Sequence, residues 1–81
     1  MNEGLLKRLA EVPGVPGREE QVRAIVHAEM APLVDEIRCD PLGDVIGTLH
    51  GRPDIRVMLA AHMDEVGFIV KWIDAAGFVR V

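Results

Sequence analysis

Ile55-Arg56-Val57-Met58-Leu59-Ala60-Ala61-His62-Met63-Asp64-Glu65-Val66-Gly67-Phe68 is the stretch on which the reading of this chain turns. Its first half is apolar apart from Arg56, and a short run of that kind reads as a strand buried on both faces. The run then breaks into an imidazole and two carboxylates. In open α/β sheets, ligands collect just beyond the carboxyl ends of such strands. A His-x-Asp at that position therefore stands where chemistry is expected.

Working outward, the segment before Ile55 reads as two helices followed by a hairpin. Leu5, Leu6, Leu9 and Val12 recur at helical spacing until Pro13-Gly14 ends the segment. Pro13-Gly14-Val15-Pro16-Gly17 makes a stiff loop. A second helix is expected from about Arg18 to Ala31. Its apolar stripe is Val22, Ile25, Val26, Met30 and then Leu33, and Glu19-Glu20 complement the dipole of its first turn. Pro32 breaks it. Val34 to Cys39 and Val45 to Leu49 are expected to be short strands around the turn Asp40-Pro41-Leu42-Gly43-Asp44, with another turn at His50 to Asp54. Beyond the central run, Val66, Phe68, Val70 and Trp72 alternate as a half-buried strand would. Asp74-Ala75-Ala76-Gly77 then turns into a partner strand, Phe78 to Val81. That strand ends with no turn or polar tail, as expected of a chain cut within its architecture.

Composition narrows the classes. Eighty-one residues allow one small domain, and a chain of that size buries only about 60–65% of its unfolded surface. Hydrophobic residues at 49% and charged residues at 27% are globular values rather than those of a disordered segment. A net charge of −4 without a basic cluster argues against nucleic acid or an anionic membrane as the main partner. Neither a signal peptide nor a bilayer-length apolar run is present. Cys39 has no internal partner and fits a reducing cytoplasm. Asp40 beside it would raise its pKa, so it reads as an ordinary strand residue rather than a nucleophile.

Neutral imidazole is a good ligand for zinc or cobalt, and metal-bound histidines hand their second ring N–H to a carboxylate. Residues two apart in an extended segment point to one side. Asp64 can thus reach the His62 ring while Glu65 points away. On spacing alone, a metal ligand and a strand-end histidine bonded to a nearby carboxylate are equally open. Glycosidase chemistry fits less well, because it needs two carboxyls about 5–9.5 Å apart facing one substrate and the adjacent Asp64 and Glu65 diverge. His27 falls on the polar side of its helix and reads as solvated.

The longer string Val57 to Phe68 closely resembles the first metal-ligand segment of the glutamyl-aminopeptidase-like metallopeptidases. These include tetrahedral and deblocking aminopeptidases and proteins sometimes labelled endoglucanase. The Pro-Gly-Val-Pro-Gly-Arg-Glu loop at 13–19 is similar to the family's opening loop and helix. Asp40 to Gly47 resembles its Asp-x-Leu-Gly-Asn-Val-Ile-Gly hairpin, with Asp44 where Asn is usual. Phe68 to Asp74 and Gly77-Phe78 resemble the strands that lead into its second domain. Four segments agree in order and spacing, so the resemblance covers nearly the whole chain.

The resemblance implies an α/β fold: the amino-terminal part of an α/β/α zinc-peptidase-like domain, two helices and then a mixed sheet. Residues 1–66 would belong to the catalytic domain and residues 67–81 to strands leading into an inserted β domain. It also implies a metal-dependent aminopeptidase that releases N-terminal amino acids from peptides, with two divalent ions, zinc or cobalt, about 3.5–4 Å apart at the complete site. By resemblance, His62 is one metal ligand. Asp64 is a catalytic-site residue that orients the histidine, and a glutamate elsewhere acts as general base. That glutamate and the remaining ligands have no counterpart among these 81 residues. The chain alone is therefore expected to be inactive, the fragment of a cytoplasmic enzyme or else a non-catalytic assembly or binding module. A homo-oligomer is expected from the unpaired terminal strand.

Overall fold

Asn2 precedes the first helix. Its side-chain Oδ1 accepts from the Leu5 backbone N–H at 3.0 Å and so caps helix α1, Glu3–Glu11. The computed structural model describes residues 2–81. Helix α2 spans Glu20–Met30 and tightens into a 3-10 turn, Ala31–Leu33, where Pro32 can donate no helical hydrogen bond. Strand β1, Glu36–Cys39, pairs antiparallel with β2, Val45–Thr48, in the register Glu36 to Thr48 and Cys39 to Val45. A second antiparallel pair joins β3, Trp72–Ile73, to β4, Val79–Arg80.

The two hairpins are the same device made twice. In Asp40-Pro41-Leu42-Gly43-Asp44, the aspartate Oδ1 accepts from the N–H two and four residues on, at 3.0 and 2.9 Å. In Asp74-Ala75-Ala76-Gly77-Phe78 both corresponding distances are 2.9 Å. In each turn the glycine N–H donates to the aspartate carbonyl at 3.0 Å. The glycines adopt φ +91° and +88°, a left-handed conformation that costs residues with a Cβ and closes a three-residue hairpin with a bulge.

Packing concentrates where α2 meets the loop before it and the hairpin after it. Among the described residues Val22, 3% exposed, is the buried hydrophobic one, and Gly14 is buried beside it. Arg23 reaches across to the hairpin, its Nε donating to the Gly43 carbonyl at 2.8 Å. Gly47 lies against Met30 and Val34 so closely that a Cβ there would meet the Met30 sulfur at 2.5 Å. The Arg8–Glu29 ion pair between the helices, at 2.9 Å, is exposed and adds at most about 1 kcal/mol.

The carboxyl-terminal half departs from the sequence expectation. Residues 55–61 form no strand and join no sheet, and Leu59 is 95% exposed. The expected strand buried on both faces is therefore not formed within residues 2–81. A strand needs backbone partners on its edges and apolar cover on its faces, and both come from non-local segments. The expected long strand through Val66 shortens for the same reason to Trp72–Ile73. In place of a mixed sheet there are two antiparallel hairpins, compatible with an α/β class. The Cα radius of gyration, 17.1 Å, well exceeds the roughly 12 Å of a compact chain of this length. No helix among the described residues is long and apolar enough to cross a membrane.

Candidate functional site

The central segment stands off the helices except at one place. The Glu65 backbone N–H donates to the Gly14 carbonyl at 2.8 Å. This bond holds residues 63–67 against the 13–17 loop, so the polar end of the run is the part that is fixed. Met63 and Asp64 are half-buried while their neighbours are exposed.

His62 and Asp64 meet as the two-residue spacing predicts. His62 Nδ1 lies 3.0 Å from Asp64 Oδ1 and 2.9 Å from the Asp64 carbonyl oxygen. Both partners are acceptors, so Nδ1 carries the proton and donates. The lone pair of a neutral ring is then left on Nε2. The His62 side chain is 84% exposed, which leaves Nε2 open to an incoming ligand. Backbone and carboxylate together fix the tautomer and the ring plane, the arrangement a metal-binding histidine requires. Glu65 forms no bond to this pair and is exposed.

The other candidates stay apart. His27 is exposed on α2, and His50 lies 3.8 Å from Glu36 in an exposed pair. Cys39 is free and exposed on β1. No three His, Cys, Asp or Glu side chains gather into a metal-sized group among the described residues. One imidazole with its orienting carboxylate can bind a divalent ion only weakly, and a tightly held ion needs a larger donor set.

Electrostatic tension sits instead in the β1–β2 turn. Hydrogen bonds to Asp40, first from the Asp44 backbone N–H and then from the Asp44 side chain, Leu42 and Gly43, hold its carboxyl below its ordinary value of 3.8. Asp44 is pushed above 3.8 by its side-chain hydrogen bond to Asp40, then by the Asp40 charge. Two adjoining carboxyls cannot both ionise freely. The proton stays on Asp44 in preference.

Residues 43–81 match the M42 glutamyl aminopeptidase family. The chain is 41% identical over 78 residues to a lysyl aminopeptidase of Pyrococcus furiosus, covering 95% of this chain and 22% of that protein. It is 40% identical over 78 residues to a glutamyl aminopeptidase of Lactococcus lactis, covering 94% of this chain and 22% of the relative. Under a quarter of the length of these curated relatives is spanned. No solved structure matches. The chain is similar to an amino-terminal segment of M42 aminopeptidases.

Proposed function

We propose that this chain contributes the first metal-ligand element of a metalloaminopeptidase that releases N-terminal amino acids from peptides. The observation that carries this reading is the His62–Asp64 pair. Its Nδ1–H is held by two acceptors, and its Nε2 is free and exposed, on a segment with kinship to metal-dependent peptidases. His62 would bind one divalent ion, zinc or cobalt, through Nε2, and Asp64 would hold the ring in the binding tautomer. When bound, a pair of such ions supplies Lewis-acid polarisation of the peptide carbonyl and a water acidic enough to attack it.

These residues fit one ligand of such a centre rather than the whole of it. The 81-residue chain by itself is therefore expected to hydrolyse nothing, its activity requiring donors and a general base from outside these residues. Residues 1–66 would belong to the catalytic domain and residues 67–81 to strands leading into a second, β domain. A cytoplasmic setting and self-association through exposed apolar residues such as Phe78 and Val81 belong to the same reading.

The test is cobalt binding followed by NMR of the His62 ring, with aminoacyl p-nitroanilide turnover measured alongside. Cobalt should perturb the His62 resonances selectively, and His62→Ala should remove the site. Metal-dependent turnover by the isolated chain that His62→Ala abolishes would overturn the expectation of inactivity. A ring that ignores cobalt in millimolar excess would overturn the ligand assignment.

A further inference from the structure

Among the described residues, the Glu65–Gly14 bond is the long-range backbone hydrogen bond that ties residues 56–70 to the helical half of the chain. Its surroundings form a fitted joint. Val15-Pro16-Gly17-Arg18 closes a tight turn, with the Arg18 N–H donating to the Val15 carbonyl at 2.9 Å and Gly17 at φ +82°. Proline at the second position and a left-handed glycine at the third make that turn rigid. Gly14, buried, is sandwiched: a Cβ there would stand 3.1 Å from Val22 Cγ1 and 3.7 Å from the Met63 carbonyl. Across the joint Gly67 lies so close to Val15 that a Cβ would clash with Val15 Cγ1, although Val15 Cβ would be an ordinary 3.7 Å away.

We propose that the loop Pro13 to Gly17 is the positioning device of the His62–Asp64 pair, acting through the Gly14 carbonyl and the Val15–Gly67 contact; this rests on reading His62 as a metal ligand. Among the described residues the ring hydrogen-bonds only to Asp64, so its aim depends on where residues 63–67 are held. Gly14, Val15 and Gly67 are thus positioning residues, remote from any reacting atom. The geometry also sets a compensation. Gly67→Ala forces the joint open because a methyl cannot coexist with Val15 Cγ1. Adding Val15→Ala removes the obstructing carbon and brings two methyl carbons to a favourable 3.7 Å.

The experiment compares wild type, Gly67→Ala, Val15→Ala and the double variant by NMR under one fixed buffer condition. Three quantities are read: the Glu65 amide exchange rate, the His62 tautomer by long-range ¹H–¹⁵N correlation, and the His62 response to added zinc. In Gly67→Ala, Glu65 exchange should rise about tenfold, as expected for loss of one net hydrogen bond. The Nδ1–H tautomer should give way to a mixture, and the zinc response should weaken. The double variant should recover all three, while amides of α1 and of the β1–β2 pair hold throughout.

The latch is refuted if Gly67→Ala leaves Glu65 and His62 as in wild type. It is refuted equally if the double variant fails to recover them, including the case in which helix amides collapse in both. A zinc response of equal strength in all four chains would also overturn it. If exchange and tautomer follow the expected pattern but zinc moves His62 in none of the chains, the latch stands and the ligand assignment fails.

Discussion

Val22→Ala removes two methyl groups from the one hydrophobic side chain among the described residues that is almost wholly enclosed, at 3% exposure. Transfer of two such groups accounts for about 1.6 kcal/mol at roughly 0.8 kcal/mol each. The space left lies against Gly14, which has no side chain to relax into it, so part of a cavity penalty adds to the transfer loss. The expected total is about 2 kcal/mol. A domain of this size has on the order of 4–12 kcal/mol of stability in all, so the change is large. In a thermal melt it corresponds to a fall of roughly 8–16 °C. Urea unfolding followed by far-UV circular dichroism reads it, with the slope of the transition compared between variants to check that the same surface is exposed. The paired control is Leu33→Ala, a member of the same apolar stripe that is 71% exposed, which should stay within about 0.5 kcal/mol. If Val22→Ala also changes stability by less than about 0.5 kcal/mol, or if Leu33→Ala costs as much, the core is not centred on the α2–loop contact and the reasoning fails.

Asp44→Asn should stabilise the β1–β2 turn at neutral pH. The raised carboxyl of Asp44 means that its ionised form is disfavoured in the folded chain, so the stability it contributes is present at low pH and lost as pH rises through its folded value. Asparagine keeps a donor facing Asp40 without the charge. The gain in Tm should be present at pH 7 and vanish once pH falls well below 3.8, and a loss at pH 7 would contradict it. Asp74→Ala should fray the terminal hairpin, because two backbone N–H groups lose their acceptor, at a cost of about 1–2 kcal/mol. Trp72 in β3 is the natural fluorescent reporter, and an unchanged emission spectrum with unchanged amide exchange at Phe78 would refute the shared turn mechanism.

Much of the local structure is legible in the sequence because its causes lie within a few residues. The helix spacing of Leu5 and Leu9, the arrest at Pro13-Gly14 and the break at Pro32 place both helices to within about two residues of the observed ends. The Asp-x-x-Gly turns are readable for the same reason, and their recurrence at 40 and 74 is a signal that periodicity alone passes over. The His62–Asp64 contact also falls in this group, since an extended backbone puts alternate residues on one side wherever it lies.

Burial is different in kind. The stripe that runs along α2 into the following 3-10 turn contains five apolar residues of equal standing in the sequence. Only packing against Gly14 singles out Val22 and leaves Leu33 outside. The run from Ile55 to Ala61 has the composition of a doubly covered strand and yet lies open, because cover and edge partners must come from residues far away in the chain. The Gly14–Glu65 bond and the fit of Val15 over Gly67 likewise join segments about fifty residues apart, which no local pattern specifies. The sequence by itself determines the two helices, the two hairpin turns and the pairing of His62 with Asp64, all through short-range sterics and hydrogen bonding. Where that pair is held, and by what, is decided only by tertiary contact, because closing so long a loop depends on shape complementarity at both of its ends.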